Sequence, residues 1–320
     1  MAVTLRSFAK INLGLRIGSP RADGYHELLT VYQTIALHDL VRVGIERGSG
    51  IEIQCADARV PTDETNTCYR VVERAMQALG AKGRVLIRIE KRLPVQGGLG
   101  GASANAVSAL LGLERGLKKS LPAVERFRIM AEVGSDLPLF LLGGTVLGVG
   151  RGEQVYPLPE LPATACVVIT PQAGVSTPKA FAEWDRRQGA EVKLTIPQRS
   201  DRMNELGYGL SAWLGEQFSG APIRGRAENP LLALVRAGIK NDFEEVVFPE
   251  YPELGEAKAA LLRAGAKYAS LSGSGSTLYG LFASKAASVL AAERLRKLGW
   301  TAQATATVSR ASYWRRMVAT

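Results

Sequence analysis

Cysteine and histidine are the scarcest chemistry-bearing residues in this 320-residue chain. The three cysteines, Cys55, Cys68 and Cys166, are odd in number, far apart and never in a C-x-x-C pair. That excludes a disulfide framework and leaves no zinc signature, so buried free thiols are expected. With His26 and His38 the only histidines, a histidine-built metal centre is excluded as well, and no metal ligand is assigned. Long apolar runs are missing too. The most apolar stretch, FLLGGTVLGVG from Phe140, is broken by glycine and too short to cross a bilayer, so no membrane association is expected. Polar and charged residues interrupt the first segment from Thr4 onward, unlike a signal peptide, and the cytoplasm is the expected compartment. Finally, charge of one sign is nowhere concentrated. The net charge of +10 divides into 20 basic and 15 acidic residues on either side of residue 155, an excess of +5 in each part. An even spread suits small anionic ligands better than a polynucleotide track, so no nucleic-acid partner is expected.

What is present reads as a globular α+β protein. A hydrophobic content of 46% against 22% charged residues supports packed cores, and the length suits two domains. Pro157, Pro159 and Pro162 mark a joint, giving an N-terminal domain over 1–155 and a C-terminal domain over 156–320. Residues 185–229 are polar, glycine-rich and poorly patterned, which predicts a loop-rich insertion or lid. Residues 3–17 read as a strand carrying Lys10 and Asn12 on one face. Helical spacing is seen at 65–79, with Thr67 as a cap and no chemistry assigned, and again at 121–132, 255–264 and 286–298.

Four places carry candidate chemistry. In LPVQGGLGGASANA, from Leu93, glycines 97, 98, 100 and 101 lie between an alternating strand and an apolar helix. Glycines there permit close backbone approach, and the helix start directs unpaired N–H groups at the same point, as a phosphate cradle requires. A tight turn that binds nothing is the plainer alternative. The stretch is not a P-loop, since no Gly-Lys-Ser/Thr closes it, and Ser103 stands where G-x-G-x-x-G needs its third glycine. Ser272–Ser276 is a second cradle or a plain hairpin turn. Asp136, in a Gly-Ser-Asp-Leu-Pro turn before an apolar stretch, is either a cap or a base. Tyr25, His26 and Tyr32 follow the Asp23-Gly24 turn, where they either stack on a flat base or fill the core.

Three segments occur in a fixed order: AKINLGLRI, PVQGGLGGASA and LSGSGSTLYG. Together with DGYHELLTVYQTIALHD, GSDLPLFLLGGT, GRGE and NDFE, they resemble the GHMP kinase superfamily, and the likeness runs through most of the chain. The resemblance implies a two-domain fold, with an N-terminal ribosomal-protein-like α/β domain and a C-terminal ferredoxin-like domain. It implies ATP as phosphoryl donor, Mg2+ held mainly through phosphate oxygens, and an alcohol acceptor on a cytidine diphosphate derivative, on the way to isoprenoid precursors. By position it makes Lys10 and Asp136 the catalytic pair. Pro94, Val95, Gln96, Gly97, Gly98, Leu99, Gly100, Gly101, Ala102, Ser103 and Ala104 would wrap the ATP phosphates, with Lys91 near the nucleotide. Tyr25, His26, Tyr32 and Phe181 would form a cytosine pocket, with Asn12 and Thr177 beside the substrate. A monomer or weak homodimer is expected. The chain departs from the family's usual G-S-S at the loop end, where Ala102-Ser103-Ala104 stands and a second serine contact is lost. A homoserine- or mevalonate-type kinase and an RNA-binding protein of related fold are the competing readings. The Tyr-His turn has no purpose for a small aliphatic alcohol.

Overall fold

The computed structural model describes residues 2–190, 196–218, 230–236 and 239–319. Two long strands open the chain, β1 (Ala2–Pro20) and β2 (His26–Glu46), paired antiparallel. They are followed by β3 (Gly50–Cys55), α1 (Thr67–Ala78), β4 (Arg84–Glu90), α2 (Gly101–Leu117) and α3 (Ala123–Val133). After a short 3-10 turn at Pro138–Leu141 come β5 (Thr145–Val149) and β6 (Gln154–Pro157). The first sheet runs β3-β4-β2-β5-β6, with β1 paired to β2. Strand β2 serves two neighbours, β4 through Leu40–Glu46 and β5 through Thr30–Gln33, while β1 lies along its length.

Register shifts in the β1–β2 ladder fall between Phe8 and Lys10 and between Asn12 and Gly14. Such irregularities bend a strand and re-aim its side chains. Here they bracket the two polar residues that face the site. The rest of β1 is core: Leu5 and Phe8 pack with α1 and α2, Leu15 and Ile17 with the second sheet, and Ala9, Ile11 and Leu13 in a third cluster between them. Each large apolar side chain so buried contributes roughly 1.5–3 kcal/mol. β1 is therefore the common spine of the molecule.

The second sheet contains β7 (Ala165–Ile169), β8 (Tyr268–Leu271), β9 (Leu278–Phe282) and β10 (Ala302–Ala306), ordered β10-β7-β9-β8 and antiparallel throughout. Between β7 and β8 lie α4 (Thr177–Ala190), α5 (Ile196–Phe218), α6 (Pro230–Arg236), α7 (Phe243–Glu250) and α8 (Pro252–Arg263). Helix α9 (Lys285–Lys297) joins β9 to β10. Helices separating strands in this order give the ferredoxin-like pattern. The closing helix α10 (Arg310–Met317) returns to the first sheet, where Tyr313 and Met317 enter its core and the Tyr313 hydroxyl donates to Phe140 O at 2.7 Å.

Two expectations change. The described parts of 185–229 are helical rather than loop-rich, because Leu206, Leu210 and Trp213 recur one turn apart and bury their side chains. Their polar and glycine neighbours dilute that pattern in the sequence. Residues 191–195 and 219–229 lie outside the described residues. Helix α1 is capped by Asn66, whose side chain accepts from Cys68 N, and not by Thr67, which donates to Ala102 O at 3.1 Å. Cys68 and Cys166 are buried free thiols that burial pushes up to about 12, while Cys55 is half-buried. Among the described residues no helix is long and apolar enough to cross a membrane.

Candidate active site

Lys10 and Asp136, 126 positions apart by their numbering, meet with Nζ 3.2 Å from Oδ2. The Lys10 side chain is buried, and that of Asp136 is one-third exposed, so the carboxylate opens outward from a closed wall. Asn12 orients the ammonium from below. Its Oδ1 accepts from Lys10 Nζ at 2.7 Å, and its Nδ2 donates to Thr30 Oγ1, which in turn donates to Gly14 O. The other Asp136 oxygen, Oδ1, accepts from the Tyr32 hydroxyl at 3.2 Å. Burial, with the Asp136 charge beside it, raises the Tyr32 phenol well above its ordinary range, so Tyr32 stays a donor. One carboxylate thus has its two oxygens held by two different donors.

The glycine loop closes over this pair. Lys10 N donates to Leu99 O, and a Cβ on Gly100 would stand 3.0 Å from both Lys10 Cγ and Phe140 Cζ. Gly100 is left-handed, with φ +68°, and starts α2. On its outer side the loop bounds a cavity of about 380 Å³, lined by Pro94–Ser103, Lys91, Arg59–Pro61, Thr65–Cys68 and Asn105. Lys91 reaches its wall from a buried ion pair, with Nζ 2.5 Å from Asp39 Oδ2; Asp39 also accepts from Arg92 N and Leu93 N. Asn105 is buried, and its Oδ1 has no hydrogen-bond partner among the described residues. Ala104 is buried in the core and does not line the cavity.

The second loop, 272–276, joins β8 to β9 and presses on the first. Ser272 Oγ donates to Gly98 O at 2.9 Å and Thr277 N to Gly97 O at 3.2 Å. It is both hairpin turn and part of the site, since Gly273 lies near Lys10 and Asn12. Thr177, at the start of α4, pairs its hydroxyl with Ser274 Oγ at 2.7 Å.

The four aromatic candidates do not form one group. His26 and Phe181 stack on each other, with ring centroids 4.9 Å apart and planes 12° from parallel, and His26 Nε2 lies 2.8 Å from Asp185 Oδ1. Tyr25 is half-exposed beneath the Arg151 guanidinium. Tyr32 is 2% exposed, which leaves no ring face for a base. It belongs with Asp136 instead, a correction to the sequence expectation.

Comparison with known proteins narrows the chemistry. Residues 66–144 match the GHMP kinases N terminal domain, and residues 227–299 match GHMP kinases C terminal. A 4-diphosphocytidyl-2-C-methyl-D-erythritol kinase of Solibacter usitatus (strain Ellin6076) is 36% identical over 98% of this chain and 92% of its own length. A protein of the same name from Geobacter sulfurreducens (strain ATCC 51573 / DSM 12127 / PCA) is 32% identical over 96% of this chain and 99% of its own. The chain belongs to the 4-diphosphocytidyl-2-C-methyl-D-erythritol kinase family. A crystal structure of 4-(cytidine 5'-diphospho)-2C-methyl-D-erythritol kinase superposes with TM-score 0.71 at 30% identity, covering 95% of this chain and 98% of that one. Homoserine kinase from Cytophaga hutchinsonii ATCC 33406 superposes with TM-score 0.72 but at 20% identity, which speaks to the shared fold alone. As a member of this kinase family the chain is an ATP-dependent phosphotransferase.

Several features of this family member's site escape sequence reading. Asn105 and the 59–68 segment sit in ordinary helix and loop contexts, and only folding brings them to the cavity, with Asp39 buried behind Lys91. Asn241 is another: its Nδ2 donates to Leu271 O and Gly273 O at 2.9 and 2.8 Å, holding the second loop. Its signal was the NDFE string, present in the sequence but without a role.

Proposed function

We propose that this chain transfers the γ-phosphate of ATP to the 2-hydroxyl of 4-diphosphocytidyl-2-C-methyl-D-erythritol, in the non-mevalonate route to isoprenoid precursors. The observation that carries this reading is the Lys10–Asp136 contact at 3.2 Å against the wall of a glycine-lined cavity. Asp136 accepts the proton of the attacking hydroxyl. Lys10 sets a fixed positive charge beside the carboxylate and the transferring phosphoryl group, where water is largely excluded. Tyr32 and Asn12 hold base and ammonium in place before the substrate arrives. On the donor side the 94–104 backbone takes the phosphates at the start of α2, while Lys91 and Asn105 face the nucleotide. Tyr25, His26 and Phe181 receive the cytosine, and Thr177 adjoins the acceptor.

Magnesium fits as an ion carried in on phosphate oxygens. Among the described residues no three His, Cys, Asp or Glu side chains gather into a cage, while Ser103 and Asp136 offer oxygens beside the phosphate cradle. When bound it would neutralise phosphate charge. Residues 1–155 are read as the donor-binding domain and 156–320 as its C-terminal partner, although the sheet changes only after Pro157, between β6 and β7, and α10 packs back on the first core. ATP supply favours the cytoplasm, with a small molecule rather than nucleic acid as partner.

A coupled ADP-release assay with a panel of acceptors tests the assignment. Turnover is expected with the cytidyl methylerythritol and not with homoserine or mevalonate. Turnover of either small alcohol in its place overturns the acceptor.

A further inference from the structure

The proposed acceptor carries a diphosphate between its base and its reacting alcohol, and the Tyr25, His26 and Phe181 rings and Asp136 account only for the two ends. Two arginines lie against Tyr25: Arg21 N donates to Tyr25 O at 2.7 Å, and the Arg151 guanidinium covers its ring. Arg21 is already engaged by Asp23 and Glu27. Arg151 is held by a single, longer ion pair, with Nε 3.5 Å from Glu153 Oε1, which leaves its Nη groups free of a carboxylate among the described residues. The Arg151 guanidinium lies over the Tyr25 ring at 4.9 Å and reaches Ala131 O at 3.5 Å through Nη2. Ala131 is near the end of α3, the helix that leads into the Asp136 turn. The next residue along, Gly152, accepts from the same Tyr32 hydroxyl that holds Asp136. Arg151 therefore spans from the base end of the site to the residues behind the general base. Its turn is itself fixed, by Leu28 N donating to Gly150 O at 2.6 Å and by Arg151 N donating to Glu153 Oε2.

We infer that Arg151 binds the diphosphate of the acceptor, and so helps set specificity for a nucleoside diphosphate over an uncharged nucleoside. The inference rests on the acceptor reading above. A guanidinium presents paired donors that match phosphate oxygens, and its side chain is about one-quarter exposed here (27%), so it is open to a ligand while backed by a ring. The same positive charge could instead serve a phosphate of ATP, which the test separates.

Binding of cytidine diphosphate and of cytidine is measured by calorimetry on the full chain, for wild type, Arg151→Ala and Arg151→Lys, alongside the KM for ATP. Loss of one charge-assisted contact predicts that Arg151→Ala weakens cytidine diphosphate about tenfold or more, cytidine by less than about threefold, and the ATP KM by less than about twofold. Arg151→Lys should recover part of the loss, since it restores charge without the fork. Equal losses for cytidine and its diphosphate would reduce Arg151 to a cover for Tyr25. A loss centred on ATP would place it on the donor side. Either result, or no change at all, overturns the inference while leaving the acceptor assignment standing. Failure of wild type to bind cytidine diphosphate removes both. If melting shows Arg151→Ala to be misfolded, Arg151→Gln is judged by the same ratio of affinities.

Discussion

Asp136 depends on groups that come from far along the chain. Its oxygens are shared between Lys10 and Tyr32, so removing the carboxylate and removing its orienting phenol should have separable consequences. Asp136→Asn is expected to lower kcat by about 10²–10⁴ while the ATP dissociation constant stays unchanged. Tyr32→Phe keeps the buried ring and loses only the donor, so kcat should fall about tenfold with the KM of the cytidyl substrate unmoved. The pH profile decides whether Tyr32 acts as a fixed donor. Burial and Asp136 hold its phenol well above the ordinary tyrosine range, so the protonated form is the only one present at working pH. The deficit of Tyr32→Phe should then be the same at every pH from about 6 to 9. A deficit that grows or fades across that window would mean that Tyr32 titrates. That Lys10 and Asp136 meet was legible only through the family resemblance, since by its own surroundings Asp136 reads as a cap and Lys10 as a strand lysine. The role of Tyr32 was not, because it follows from pairing opposite Asn12 across a ladder whose register shifts nearby, and strand spacing alone does not reveal such shifts. Arg151 and Asn241 were hidden for the same reason: each acts on groups more than a dozen residues away.

The glycine loop and the Ser272–Ser276 loop work as one joint between the two sheets. At Gly98, φ is +76° and a Cβ would stand 2.2 Å from Ser272 O, a backbone atom unable to move aside. Gly98→Ala should therefore part the two loops, with a stability loss of roughly 2–5 kcal/mol from backbone strain and overpacking. The companion change is milder. Gly101 lies in α2 without a left-handed φ, and its added Cβ would meet the Lys91 ammonium at 3.3 Å, a side-chain contact that needs to give by only a few tenths of an ångström. Gly101→Ala should thus leave denaturant stability within about 1 kcal/mol of wild type and act mainly on the ATP KM. Equal stability losses in urea titrations would show that the joint is not formed at Gly98. The glycine spacing made this loop readable, because a strand, four glycines and an apolar helix leave few other structures. Helix α5 was unreadable by the same standard. Its buried Leu206, Leu210 and Trp213 are diluted by glycines and charges whose helical state comes from docking on β1 rather than from local preference.

Strand β1 passes through all three apolar clusters, and the Arg16–Asp242 pair is one of the polar contacts that fix its far half. Asp242 is fully buried and accepts from Arg16 Nη1 at 2.7 Å and from Ile17 N at 2.9 Å, while Glu205 approaches Arg16 from an exposed position at 3.7 Å. Burial raises the Asp242 carboxyl despite both donors, so desolvation offsets most of what the ion pair gains. Such a pair adds little net stability yet is costly to break. Asp242→Ala leaves a guanidinium stranded against the second sheet's core, with only the exposed Glu205 among the described residues to answer it, and should destabilise the chain by about 3–5 kcal/mol. The double change Arg16→Met with Asp242→Asn removes both charges and keeps an acceptor for Ile17 N. It should therefore recover most of that loss in chemical denaturation, a coupling that a two-residue mutant cycle measures directly. Because β1 also carries Lys10 and Asn12, Asp242→Ala should lower kcat beyond what the unfolded fraction explains, and the double variant should restore it. If the two variants prove equally unstable, the pair is holding β1 through the Asp242 backbone position rather than through its charge.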